Sequence, residues 1–253
     1  MPGTRKQITA LGHYNNPSRL RSTILIIYYL DKMLATSTAH KRQIKILLIV
    51  SIVFFVIMMF AFSFTAYTTS QHSTLRIDNT IFAWLHTIRN PLMTHLMSAI
   101  TFLGSRYFLF PCYTFLVVYT VFIQKKLLFA IALAFTGFLG NELLYLMQNV
   151  FDRVRPANPL LSYVKGYSYP SGHSFASFVF AGLLIFLVWQ KDLPTKWKLT
   201  YAITLFLIAS IIAISRAYLQ VHYPTDVLGG FYLSILWLIP CWWILYLIND
   251  SYR

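Results

Sequence analysis

Apolar residues in this chain fall mainly in long unbroken runs. Six of them, Ile46–Ala66, Tyr107–Ile123, Leu127–Met147, His173–Trp189, Trp197–Ile214 and Val227–Ile248, are 17 to 22 residues long. A helix needs about 20 apolar residues to cross a hydrocarbon layer of about 30 Å. In lipid, backbone groups must be paired internally, and a helix does this within one segment. The pattern predicts an all-α protein, a membrane bundle of six transmembrane helices. Asp78–Leu103 differs, with apolar residues at helical spacing (Ile81, Phe82, Leu85, Ile88, Leu92, Leu96) and a break at Asn90-Pro91. It predicts one or two amphipathic helices on the outer surface.

Residues 1–45 read as a basic cytoplasmic tail and 46–253 as the six-helix domain. Ser22–Leu30 is too short to span. It reads as an interfacial segment or as a loosely ordered extension, with Met33 an alternative start. Ile46–Ala66 exceeds the apolar region of about 7–15 residues typical of a signal peptide, so it reads as an uncleaved anchor.

Composition supports this reading. The chain is 57% hydrophobic and 11% charged, where a soluble domain carries about 25% charged residues. The net charge of +14 does not point to nucleic acid, because eight Lys and Arg lie in residues 1–45 against one acid, Asp31. Such a basic flank marks the cytoplasmic side. Lys125 and Lys126, then Lys191, Lys196 and Lys198, fall in alternate connections and share that side. Both termini are then cytoplasmic, in a plasma-membrane protein. Trp189, Trp197, Trp242 and Trp243 lie near run ends, as an aromatic belt requires. Cys112 and Cys241, both in apolar runs, form no disulfide framework and no paired metal motif.

Three polar clusters remain, all on the extracytoplasmic side: Gln148 to Pro156, Tyr169 to Ser174, and Ser215 to Asp226. Arg155 and Arg216 each offer a planar pair of donors to phosphate oxygens. Ser171 and Gly172 stand where a helix begins, and free N–H groups there favour an anion. A Ser-Gly turn also serves as a plain helix cap. His222 is followed after four residues by Asp226, with Pro224 in a first-turn position. From there Asp226 is expected to hold the His222 ring and favour its charged form. His222 then reads as nucleophile and His173 as general acid. Two histidines and one carboxylate among arginines are a poor zinc set. Ser171 as nucleophile lacks the G-x-S-x-G elbow.

Together the clusters resemble the type 2 phosphatidic acid phosphatase superfamily, whose signature is K-x6-R-P, P-S-G-H and S-R-x5-H-x3-D. Here they read x6-Arg155-Pro156, Pro170-Ser171-Gly172-His173 and Ser215-Arg216-x5-His222-x3-Asp226. The resemblance covers roughly residues 77–248. It implies a phosphohistidine on His222, His173 as acid and base, and a phosphate pocket from Arg155, Ser171, Gly172 and Arg216, with no metal and no cofactor. One position departs from the signature. The first-motif lysine is Gln148, an amide that can donate to phosphate but brings no charge. Arg153 is a candidate to supply that charge.

The implied substrate is a membrane lipid phosphate at the outer leaflet: phosphatidate, phosphatidylglycerophosphate or undecaprenyl diphosphate. A lipid phosphotransferase using the same histidine, and a non-catalytic phosphate-binding membrane protein, are the alternatives. Glu142, bordering a face formed by Asn141, Tyr145, Gln148 and Asn149, is an intramembrane carboxylate. It reads either as partner to a site cation or headgroup, or as a hydrogen bond within the bundle. No pattern in the chain specifies an oligomeric state.

Overall fold

The computed structural model describes residues 38–71, 74–161 and 165–250. The Ser22–Leu30 segment and the alternative start at Met33 lie outside them. The described residues form eight helices and no strand: α1 (Thr38–Gln71), α2 (Arg76–Thr87), α3 (Pro91–Phe102), α4 (Arg106–Phe122), α5 (Leu127–Phe151), α6 (Gly172–Trp189), α7 (Thr195–Tyr218) and α8 (Pro224–Asp250). By internal contacts the chain divides between Ile52 and Val53, and the bundle with its three polar clusters belongs to the unit that begins at Val53.

Six described stretches are long and apolar enough to cross a membrane. Five correspond to single helices; the sixth, Pro91–Phe122, joins α3 and α4 across the short turn Leu103–Ser105. The break at Asn90-Pro91 falls between α2 and α3. Asn90 caps α3 by accepting a hydrogen bond from Met93 N at 2.8 Å, with proline at the first helical position.

Helix α6 is the centre of the bundle. Nine of its 18 residues are buried, so it presents apolar surface on every side rather than along one stripe. It packs against α7 and α8, and more lightly against α4 and α5. Phe175, Val179, Leu183 and Phe186 meet Phe129 and Leu133 of α5 and Leu233, Leu236 and Leu245 of α8. Helices α2 and α3 pack on α7, and α2 also on α8.

The two ends of the bundle differ in chemistry. At one end Lys126 Nζ donates to Asn249 Oδ1 at 2.7 Å, and Asn249 Nδ2 donates to Gln190 Oε1 at 3.2 Å. This joins the start of α5 to the ends of α6 and α8. The opposite end gathers the end of α5, the start of α6, the end of α7 and the start of α8. All three polar clusters are there.

At that end α8 approaches the loop before α6 closely. A Cβ on Gly229 would overlap the ring of Tyr169, and one on Gly230 would lie 2.5 Å from the Ser171 carbonyl oxygen. Tyr169 is fully buried. Its ring stacks on Phe62 and meets Phe151 edge-on, and its hydroxyl bonds Thr65 Oγ1 at 2.9 Å. Gly230→Ala is therefore expected to cost about 1–3 kcal/mol through overpacking against a backbone atom. Thermal unfolding in detergent measures this as a lowered melting temperature, with activity falling alongside.

Candidate active site

Helix α5 is capped by Asp152, whose φ of 38° is left-handed and whose N–H donates to the Gln148 carbonyl at 3.0 Å. A left-handed residue after the last helical turn reverses the chain. The reversal sends Arg153 into the protein and Arg155 along the loop. Helix α7 ends in a comparable turn, with Gln220 at φ 53° and the N–H groups of Val221 and His222 bonded to the Arg216 carbonyl. That turn brings His222 back beneath the end of its own helix.

His222 is 2% exposed and its two ring nitrogens have different partners. Nδ1 lies 2.7 Å from the carbonyl oxygen of Ser168. A carbonyl can only accept, so Nδ1 carries the proton. Nε2 accepts from Arg155 Nη1 at 2.9 Å. The lone pair that can attack is thus on Nε2. Burial, with Arg155 and Arg216 nearby and Asp226 opposing them, pushes the His222 ring down to about 4.

Asp226 stands 3.7 Å from His222 Nδ1, beyond hydrogen-bond range. The expectation that Asp226 holds the ring is met instead by the Ser168 carbonyl. Asp226 Oδ1 accepts from Arg153 Nη1, and Oδ2 accepts from Ser168 Oγ and from Tyr223 N at 2.8 Å. The carboxylate reaches back to the residue before α8, which satisfies a free donor at that helix start. Asp226 acts on His222 through charge, and through Ser168, which it shares with the ring.

Arg153 does not stand in for a phosphate-binding lysine. Its guanidinium is buried, spans Asp226 and Asp78 (Nη2 to Oδ2, 2.9 Å), donates to Thr225 Oγ1 at 2.8 Å and lies 4.1 Å over the Tyr223 ring. Among the described residues Arg155 makes five hydrogen bonds: to the carbonyls of Lys165, Gly166, Tyr167 and Val221, and to His222 Nε2. Partial burial lowers its pKa, against the pull of Asp226. Arg216 is 3% exposed and donates from Nη1 to Thr101 Oγ1 at 2.8 Å. Its Nε is buried without a hydrogen-bond partner among the described residues, as is Ser171 Oγ. Ser171 itself is fully buried just before α6. Two unspent donors in a buried polar site call for an acceptor.

His173 is the second residue of α6, at the end of the bundle that holds Arg216, His222 and Arg155. A Cβ on Gly104 would come within 3.3 Å of its ring, so the turn between α3 and α4 walls that side. Gln148 Nε2 donates to the Pro170 carbonyl at 3.0 Å. Its amide braces the turn that carries Ser171 and Gly172. Glu142 is exposed on α5, with a 3.5 Å contact from the neighbouring Asn141 amide. It pairs with no site arginine in this structure.

Five residues of the site escaped the sequence reading: Ser168, Asp78, Thr101, Thr225 and Gly104. Ser168 acts largely through its backbone, which leaves no trace in sequence. Asp78 had a signal, being one of only seven acids in the chain.

The sequence model of the PAP2 superfamily matches residues 125–250, which include all three clusters. Phosphatidylglycerophosphatase B of Bacillus subtilis (strain 168) is 36% identical over 152 residues, covering 59% of this chain and 73% of that protein. The putative undecaprenyl-diphosphatase YbjG of Escherichia coli (strain K12) is 35% identical over 112 residues, covering 42% of this chain and 50% of that protein. The crystal structure of a transmembrane PAP2 type phosphatidylglycerolphosphate phosphatase from Bacillus subtilis superposes with a TM-score of 0.69 at 27% identity, covering 79% of this chain and 97% of that one. That of Aquifex aeolicus LpxE gives 0.52 at 26% identity, covering 69% and 97%. With the sequence match, the shared helix bundle and the three converging clusters in agreement, this chain belongs to the PAP2 superfamily and is a membrane-embedded phosphatase.

Proposed function

We propose that this protein hydrolyses the terminal phosphate of a membrane lipid phosphate or diphosphate through a phosphohistidine on His222, at the extracytoplasmic face of the plasma membrane. The observation that carries this reading is the fixed tautomer of His222. With its proton locked toward Ser168, the ring presents an unprotonated Nε2 among arginine donors.

In the first step Nε2 attacks phosphorus and the bond from phosphorus to the lipid oxygen breaks. His173 gives its proton to that oxygen. Arg216 Nε, Ser171 Oγ and the free N–H groups at the start of α6 stabilise the equatorial oxygens, where charge is spread in the transition state. Arg155 Nη1, now facing Nε2, lies beside the same oxygens. In the second step His173 takes a proton from water, which attacks phosphorus, and the bond to Nε2 breaks. Free phosphate leaves and both histidines are restored.

Phosphatidylglycerophosphate is the first substrate to test and undecaprenyl diphosphate the second, in keeping with the names of the relatives. Their headgroups would meet the arginines while the apolar chain lies along the bundle. The assay is phosphate release by purified protein in detergent with EDTA present, over these lipids, phosphatidate and glucose 6-phosphate. His222→Ala is expected to lose three orders of magnitude or more, on the order of what deleting a nucleophile costs. Metal-dependent release, or full activity in that variant, overturns the reading. Appearance of the phosphate on an added lipid alcohol instead of water identifies a transferase.

The pH dependence stems from the His222 ring. The attacking form is unprotonated, and it predominates above the ring's value of about 4. After correction for ionisation of the substrate phosphate and of His173, which must start protonated, no acid loss of kcat/KM is expected until pH falls to about that value. An acid limb near the ordinary histidine range of about 6.5 would mean that burial does not depress the His222 ring.

Gln148 yields a third expectation. Gln148→Leu removes the brace on Pro170 and should lower kcat/KM about fivefold, the value of roughly 1 kcal/mol of hydrogen bonding. Gln148→Lys keeps a donor and adds a charge, and should raise kcat/KM by up to about tenfold. Steady-state kinetics on the best lipid measures both.

A further inference from the structure

Asp78 lies on α2, outside every signature motif, yet it is completely buried. Asp78 and Asp226 are the two fully buried carboxylates among the described residues. Every oxygen of Asp78 is committed. Oδ1 accepts from Thr225 N at 3.0 Å and from Thr225 Oγ1 at 2.9 Å. Oδ2 accepts from Leu75 N at 3.3 Å and from Arg153 Nη2 at 2.9 Å. Thr225 has one hydroxyl proton and gives it to Asp78, so its oxygen is free to accept from Arg153 Nη1 at 2.8 Å. Arg153 in turn donates to Asp226.

The cluster beneath His222 thus holds two carboxylates and one guanidinium, a formal charge of −1 from Asp78, Asp226 and Arg153. When Nε2 bonds to phosphorus with Nδ1 still protonated, the ring becomes a cation. The nearest carboxylate is Asp226, 3.7 Å from Nδ1. If Arg153 had Asp226 as its one acidic partner, its charge would cancel that carboxylate. Asp78 shares the guanidinium, so Arg153 cancels less of the Asp226 charge on the Nδ1 side of the ring, opposite Arg155 on the Nε2 side.

We propose that Asp78 is a positioning residue for phosphoryl transfer: acting through Arg153 and Thr225, it fixes Asp226 and keeps the charge beneath His222 negative, so that the phosphorylated ring is stabilised. This rests on His222 being the nucleophile. Asp78 touches neither substrate nor ring, and its loss should affect the chemical step rather than phosphate binding.

The test uses the full-length protein in detergent. Asp78→Asn keeps the size and an acceptor for Thr225 but removes the charge. It should lower kcat ten- to a hundredfold while KM and inhibition by inorganic phosphate stay within about twofold. Asp78→Glu restores the charge and should recover at least part of the lost kcat. A kcat equal to that of the unaltered protein overturns the proposal. So does weakened phosphate inhibition in step with lost kcat, because the pocket itself is then damaged. Failure of both variants to fold also overturns it, since Asp78 would then serve the fold. Acid-quenched phosphoenzyme, measured in the unaltered protein and in His222→Ala, separates this idea from its foundation. Absence of phosphoenzyme from the unaltered protein removes the His222 reading. Its presence there, with normal kcat in Asp78→Asn, removes only the role of Asp78.

Discussion

Arg153 between two fully buried carboxylates is the constraint on which this end of the bundle depends. A charge taken out of water is costly unless it is paired and its remaining lone pairs are satisfied. Here that requirement is met by groups from four places: α2, the loop leaving α5, the loop entering α6, and the first turn of α8. A shift of α2, of the loop leaving α5 or of the first turn of α8 alone would leave a buried charge unpaired, which typically costs about 3–5 kcal/mol, and a shift of the loop entering α6 would cost Asp226 the Ser168 hydrogen bond. The apolar core on α6 brings the helices together by burial, which is not directional. The charge cluster sets their ends to a single register. His222 inherits its position from that register through Ser168.

The three arginines of the site divide its work. Arg153 is spent on the carboxylates. Arg155 gives most of its donors to backbone carbonyls, so that it holds the 165–167 loop against the turn that carries His222, and turns Nη1 also to His222 Nε2. Arg216 keeps Nε in reserve, as Ser171 keeps its hydroxyl. Guanidinium suits all three tasks, because its donors point in a fixed plane and its charge is not lost on burial. Gln148 fits the same division. Where the family signature has a lysine, this chain has an amide that braces the Pro170 carbonyl.

Much of this was legible in the sequence, for physical reasons. Long apolar runs announce membrane helices because hydrocarbon admits few alternatives, and polar residues recurring beside such runs are costly enough to mark a site. Helix ends were less legible: α1 runs from Thr38 to Gln71, well past the apolar run at each end. The roles inside the site were harder still. Ser168 holds the ring with a carbonyl that every residue possesses. Asp78 was hidden in an amphipathic helix, where a lone acid reads as an exposed face. Arg153 had the right charge and the right place in sequence for phosphate, and a left-handed turn at Asp152 sent it elsewhere. Spacing along a chain does not record which way a turn points a side chain.

The bond from His222 Nδ1 to the Ser168 carbonyl has a consequence for the lifetime of the proposed intermediate. An acceptor that can never donate keeps Nδ1 protonated at every stage. A phosphorylated ring would then keep its positive charge, since the atom hydrogen-bonded to Nδ1 cannot take that proton and the Asp226 carboxylate, at 3.7 Å, lies beyond hydrogen-bond range. A phosphoryl group on a cationic imidazole is bound to an excellent leaving group. Under the proposed mechanism the intermediate would be activated from the moment it forms, and the protein would serve as a relay for phosphate rather than a reservoir of it.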